Sequence, residues 1–406
     1  MAERWTIGMA SSVSSSEPSN PPVNADARGR AAMCVGWPAR AGYRARYGIK
    51  LAPRYYWRQE MKHLLITYLL LAISQVAAAG GKEVNLDNYV EAMSDIYFGK
   101  IADKVGTNKI FHDRSTKTVE TQLIIRENRD TLYSNAVVDA RKGVQIVLPP
   151  SKVYMSVLVL DYRTHLIRDS NSDDVGTFQA YSEKERVIKI TPEAANTDYI
   201  YLVFRTQSDG SQKGDRYANQ LQDKIRLTAA SNVPWKPQGF DEKQRDAITK
   251  TYVPRLAEVV AQGTQYGYNE KGKVTRDHQN FYAAIGWGGQ LEKYATYGTT
   301  PDITSYGSKC AITTIDPPEV DYDRGGFWSY QVYGLDGFIH SNNSTLNNDN
   351  TVLNKNGTVT LRFGSREACG TDENRADKND DGFSVTTRIY NPVKPVPLEK
   401  RALSLE

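Results

Sequence analysis

At 406 residues the chain exceeds one typical domain and points to two. Its formal charge of +4 is unevenly placed, because residues 1–60 carry nine Lys+Arg and four Asp+Glu, a net of +5, which leaves −1 for the remainder. A chain whose body is slightly acidic excludes a nucleic-acid partner recruited by net charge.

The first sixty residues combine a Ser/Pro/Asn run (11–24) with an Arg-rich stretch (28–58) and no sustained apolar period, a composition that buries little surface and predicts disorder. They are followed by MKHLLITYLLLAISQVAAAG. Lys62 and His63 make a positive n-region, Leu64 to Ile73 an apolar core, and Ala77 to Ala79 an A-x-A site, so residues 61–79 read as a signal peptide. The apolar core is shorter than the ~20 residues that span a bilayer. The expectation is that Met61 is the start, that residues 1–60 are a non-native or disordered extension, and that the mature chain is exported, periplasmic or secreted, with no stable membrane span. A signal anchor behind a basic cytoplasmic tail is the alternative. Export leaves two cysteines, Cys310 and Cys369, as a disulfide candidate, with a pair of unlinked thiols as the other outcome.

In the body of the chain, Leu86, Tyr89, Val90, Met93, Ile96, Tyr97 and Ile101 recur at helical spacing and predict a helix over 85–104. Strands are predicted at 121–125, 131–139, 144–148, 154–160, 185–190 and 199–205, too closely spaced for helices between them, which argues for antiparallel pairing. Helical period returns over 215–230 and 241–262, the second interrupted by Pro254. Gly286, Gly288 and Gly289 around Trp287 mark a bend that presents an indole. Strands follow at 310–315, 326–333, 338–340, 359–363 and 383–390, with GLDG at 334–337 as a hairpin signal. The fold class is therefore α+β and mainly β, with two antiparallel β-rich lobes joined by a helical connector.

NRDTLYSNAVVD (128–139), WGG (287–289), GGFWSYQVYGLDGF (325–338) and FSVTTRIYNP (383–392) resemble the short-form proteins that carry two paired domains of unknown function, numbered 1254 and 1214. The resemblance runs from about Val84 to Pro397. It implies an N-terminal β-rich domain (80–210), a helical connector (211–300) and a C-terminal β-sandwich (301–398), and it implies no activity. The hydrophilic loop GSREACGTDENRADKNDDG (364–382) departs from the pattern.

Arg126, Asn128, Arg129, Asp130, Tyr133 and Ser134 stand at the polar mouth of the strand over 131–139, where they converge on a ligand or pair among themselves to satisfy buried strand ends. His165, in DYRTH, is a candidate general base or a hydrogen-bonded structural residue. Asp377, Asn379 and Asp381 with Gly382 match D-x-N-x-D-G, a half-motif for structural calcium, but Arg388 replaces the Glu of a full loop, and a solvated turn gives the same pattern. No G-x-S-x-G elbow, Walker A loop or G-x-G-x-x-G fingerprint occurs. The functional expectation is a protein that binds a small organic ligand or sugar between its lobes, lined by Arg126, Asn128, Arg129, Asp130, Tyr133, Tyr162, His165, Trp287 and Trp328. A hydrolase or lyase using Asp130 and His165 with Arg126 as anion holder is the alternative, and a structural homo-oligomer the third reading.

Overall fold

The computed structural model describes residues 81–122, 126–255, 271–397 and 400–405, all in one compact unit. The extension (1–60), the signal segment (61–79), residues 123–125 of the strand expected at 121–125, and the part of the expected helix beyond Arg255 lie outside the described residues.

The first lobe holds β1 (Ile110–His112), β2 (Thr131–Asp139), β3 (Val144–Leu148), β4 (Met155–Asp161), β5 (Thr177–Gln179), β6 (Arg186–Ile190), β7 (Tyr199–Gln207) and β8 (Arg226–Ala229). Five of them form an antiparallel sheet in the order β1-β2-β7-β4-β5, and three form a second sheet, β6-β3-β8. Between the sheets lies a core of Ala136, Val138, Val157, Val159, Leu202 and Phe204 against Ile146, Leu148 and Ile188. Helix α1 (Tyr89–Val105) covers the opposite face of the larger sheet, packing Phe98 and Ile101 on Val137, Leu158, Leu160 and Tyr201. A sheet buried on both faces selects apolar residues at successive positions, which is why MSVLVLD and YIYLVF read as unbroken apolar runs. RVIKI on β6 has one exposed face and alternates.

The second lobe pairs β12-β11-β15-β9 with β10-β13-β14, where β9 is Ala295–Thr299, β10 Ala311–Ile315, β11 Phe327–Gly334, β12 Thr345–Asn347, β13 Val359–Phe363, β14 Arg375–Ala376 and β15 Phe383–Tyr390. All pairings are antiparallel except β13 with β14. Trp328, Tyr330, Val332, Val385 and Ile389 point into the core shared with Leu361 and Phe363. The alternate residues of β11 and β15 therefore face out of that core, towards the first lobe. A disulfide joins Cys310 to Cys369 across 5.0 Å between Cα atoms. The fold is thus α+β and mainly β.

Three local expectations change. The helix expected to reach Ala230 is α3 (Gln212–Gln222), after the short α2 (Pro192–Ala195), and Arg226–Ala229 is instead an edge strand on β3. Its i, i+2 pattern is satisfied by sheet pairing, which overrides helix propensity. Residues 295–299, within the segment read as connector, form the edge strand β9 on β15, so this segment gives a strand to each lobe. Residues 338–340 form no strand, because the Gln122 side chain accepts from Ile339 N at 2.7 Å and donates to Ile339 O at 2.7 Å, taking both backbone groups that pairing would use. The remaining helices are α4 (Glu242–Tyr252), followed by a 3-10 turn at Pro254, α5 (Arg276–Ile285) and α6 (Arg366–Cys369).

Candidate functional site between the lobes

The polar face of β11 and β15 meets the end of the large sheet at Asn128–Tyr133. Asn128 Oδ1 accepts from Asp130 N at 2.8 Å, closing the turn into β2, and its Nδ2 donates to Tyr133 Oη at 3.3 Å and Tyr390 Oη at 3.1 Å. Asp130 is 1% exposed, and its Oδ2 accepts from Ser329 Oγ at 2.6 Å with Arg388 Nη1 at 3.9 Å. Arg388, also buried, donates to Gln331 Oε1 at 2.8 Å and Tyr333 Oη at 2.7 Å. Burial pushes the Asp130 carboxyl above its ordinary range despite Arg388, the Ser329 hydrogen bond and Arg129.

Arg205 stands in register with Tyr133 on one side and Ser156 on the other, so one row of the sheet presents a phenol, a guanidinium and a hydroxyl on the same face. Arg205 is 7% exposed. Its Nε and Nη1 have no hydrogen-bond partner, and neither does Asp130 Oδ1, while the Tyr154 and Ser156 hydroxyls lie against each other, with Gln290 also near Tyr154, in poor hydrogen-bond geometry. Tyr133 lies with its ring centroid 5.5 Å from Arg205 Cζ. Burial raises the Tyr133 phenol, but Arg205, the Asn128 amide and Arg388 outweigh it and leave its pKa below the ordinary tyrosine value. From the second lobe come Tyr390, 4.8 Å from the Tyr154 ring and 4.4 Å from that of Phe327, and Tyr297, to which Gln290 donates at 3.2 Å. Burial lifts Tyr154 to about 12.

Of the residues singled out in the sequence, the structure brings Arg126, Asn128, Asp130 and Tyr133 into this interface. Arg126 has a left-handed backbone, receives from Arg388 Nη2 on its carbonyl at 3.2 Å, and donates to Ser384 Oγ at 3.1 Å. Arg129 points to its rim, bonding Asn342 O at 2.6 Å and Ser344 Oγ at 3.1 Å. Ser134 faces the other way, towards His112 and Gln222.

Four residues are placed elsewhere. Trp328 is buried in the core of the second lobe, because β11 is covered on both faces and the alternation assigns Phe327, Ser329, Gln331 and Tyr333 to the interface. Trp287 stacks on Tyr97 at 4.2 Å and donates to Ser94 Oγ at 3.1 Å under α1. Tyr162 donates to Asp95 Oδ1 at 2.5 Å. His165 is held on both ring nitrogens, by Asp161 Oδ2 at 2.9 Å and Gln279 Nε2 at 2.7 Å. Asp161 pairs with Ile200 while Thr131, next to Asp130, pairs with Gln207, so the register separates Asp130 from the His165 site by seven positions of β7, roughly 23 Å.

In the D-x-N-x-D-G loop, Asp377 is ion-paired to Arg375 and accepts from Ser341 Oγ at 2.6 Å, and Lys378 supplies a cation between the acidic positions. Asp377 and Asn379 line a recess of about 180 Å³ with His340 and Ser344, while Asp381 is exposed. Among the described residues no group of three or more His, Cys, Asp or Glu could hold a metal ion.

Sequence reasoning passed over Arg205, Tyr154, Ser156 and the role of Arg388 and Tyr390. The available signal was Arg205 itself, a charge inside the apolar run YIYLVFRTQ.

Residues 107–229 match the family described as "Protein of unknown function (DUF1254)". That span runs from just before β1 to the last residue of β8. The chain shares its fold with the VPA0106 protein from Vibrio parahaemolyticus, whose crystal structure superposes with a TM-score of 0.54 at 15% identity, covering 79% of this chain and 96% of that one. An uncharacterized protein from Burkholderia cenocepacia aligns with a TM-score of 0.42 at 15% identity over 77% of this chain and 87% of the other. No curated protein matches the chain.

Proposed function

We propose that this is an exported protein that binds a small organic ligand between its two β-lobes. The observation that carries the reading is the interface itself, where Arg205 and Asp130 are buried with polar atoms that no group among the described residues satisfies, beside the Tyr154 and Ser156 hydroxyls, which have only each other and Gln290 near. Buried polar atoms are ordinarily partnered, and a concentration of exceptions in one place marks a site built for something else to complete. Both lobes contribute, so the ligand closes the contact between them.

Three further assignments belong to this reading. The second lobe is the 1214-type partner of the N-terminal domain, with the boundaries near residues 210 and 300 moved to let β8 and β9 join their sheets. Export follows from the signal segment and is supported by the Cys310–Cys369 disulfide, a bond of oxidising compartments. Among the described residues no helix is long and apolar enough to cross a membrane. Self-association through the outer sheet faces remains the oligomeric reading, tested by concentration-dependent sizing.

The hydrolase or lyase alternative loses its acid-base pair, since Asp130 and His165 occupy separate sites and neither His165 nitrogen is open. A thermal-shift screen of small acids, sugars and aromatic esters, and of Ca²⁺ with and without chelator, tests the binding reading. A ligand at 100 times its dissociation constant adds about 2.7 kcal/mol. The shift must shrink in Asn128→Ala and Tyr390→Phe. A screen without hits, or a hit indifferent to both variants, removes the interlobe site.

A further inference from the structure

We propose that Arg205 anchors the carboxylate of a small organic acid whose body lies among Tyr133, Tyr154, Tyr297 and Tyr390; this rests on the interlobe-ligand reading above. Arginine is almost never buried without a counter-charge. Here the guanidinium is nine-tenths buried with two nitrogens unmatched, and among the described residues no carboxylate makes an ion pair with it. Asp130 is engaged by Ser329 and stands beside Arg388, and Asp349 accepts from Gln207 Nε2 at 3.0 Å. The chain offers it phenols, Tyr133 first among them, and an outside anion would complete the two open nitrogens.

The neighbours define its chemistry. Ser156 Oγ lies on the next strand in register with Arg205, and Tyr154 Oη on the same face two residues earlier; the two hydroxyls lie against each other, with Gln290 also near Tyr154, in poor hydrogen-bond geometry, and can turn to donate to carboxylate oxygens. One open guanidinium matches a single negative charge, which favours a monocarboxylate over phosphate. The stacked rings of Phe327 and Tyr390, with Tyr154 and Tyr297 around them, offer a flat apolar wall for an aromatic or unsaturated body. Entry is past Asn128, Tyr133 and Tyr297, which are only half-buried while Arg205, Tyr154 and Tyr390 are sealed.

The test is titration calorimetry of the full chain with acetate, crotonate and benzoate, their amides, and inorganic phosphate. The expected result is binding of at least one carboxylate, no binding of its amide, a loss of tenfold or more in affinity in Arg205→Gln, and a several-fold loss in Tyr154→Phe. Tyr154→Phe removes one hydroxyl and keeps the ring, so it stays informative if Arg205→Gln does not fold. An amide that binds as well as its acid, with affinity unchanged in Tyr154→Phe but lost in Tyr390→Phe, overturns the carboxylate anchor and leaves the interlobe ligand standing. Silence from all three acids, or preference for phosphate, also overturns the anchor, and the neutral compounds of the wider screen then judge the parent reading separately.

Discussion

Arg388 Nη1 stands 3.9 Å from the Asp130 carboxylate yet gives its hydrogen bonds to Gln331 at 2.8 Å and Tyr333 at 2.7 Å. The pair spans the two lobes, and the guanidinium compensates the carboxylate's charge at a distance rather than through a bidentate contact. Burial keeps the Asp130 pKa above its ordinary range. Between that ordinary value and the raised one, the folded chain holds a proton that the unfolded chain has released, so stability falls as pH rises through the interval. Asp130→Asn keeps the shape and is expected to flatten the fall, read as urea unfolding free energy from about pH 4 to about pH 8. Arg388→Met leaves the carboxylate less compensated and is expected to lose about 3–5 kcal/mol. Parallel profiles for wild type and Asp130→Asn would exclude a raised Asp130.

His112 acts in the opposite sense. Burial, with Arg114 beside it, lowers its pKa to about 4, and its Nδ1 meets Ser134 Oγ at 2.8 Å. The unfolded chain takes up a proton near pH ~6.5 that the folded chain refuses, so stability is lost as pH falls from there towards about 4. The ring is only partly buried, which limits the contribution to on the order of 1–2 kcal/mol. His112→Gln is expected to remove this acid-side loss in the same urea series, and an unchanged slope below pH ~6 contradicts it.

The large sheet was legible because its strands are apolar on both faces, and the polar turn at Arg126–Asp130 was legible because charges at the mouth of such a strand must be satisfied. The site's centre was not. Arg205 acquires meaning only from a register that sets it between Tyr133 and Ser156 and from a second lobe whose nearby carboxylate, Asp349, goes to Gln207 instead. Trp328 and Tyr333 show the same limit: every residue of β11 is buried, so alternation separates two faces without saying which is core. β8 was misread because four residues at a sheet edge carry too little pattern to overrule the helix before them.

The Cys310–Cys369 bond ties the start of β10 to the end of α6 across 59 residues of sequence. In the chain-entropy account, closing a loop of that length contributes about 4 kcal/mol. The Cys310→Ser, Cys369→Ser double variant is expected to unfold at lower denaturant by that amount, and reductant should lower the wild-type midpoint while leaving the variant unmoved. A wild-type midpoint insensitive to reductant, with the free thiols appearing on titration, would show that the bond adds little.

Gly325 supplies the sharpest mechanical test of how the lobes meet. It ends the 3-10 turn Tyr322–Arg324 at φ +69°, and a Cβ there would lie 2.6 Å from Tyr154 N and from Val153 C, both backbone atoms of the other lobe. Gly357 has φ +85° with nothing within 4 Å of the same added atom. Gly357→Ala therefore carries only the left-handed backbone cost, about 1 kcal/mol. Gly325→Ala adds the overlap, a further ~1–3 kcal/mol, because backbone yields less readily than a side-chain tip. The overlap also pushes Tyr154 out of place beside Arg205, so Gly325→Ala should weaken carboxylate binding while Gly357→Ala leaves it intact. Equal losses of stability in the two variants would show that the lobes part at no cost, and the interface would then be too loose to hold a ligand.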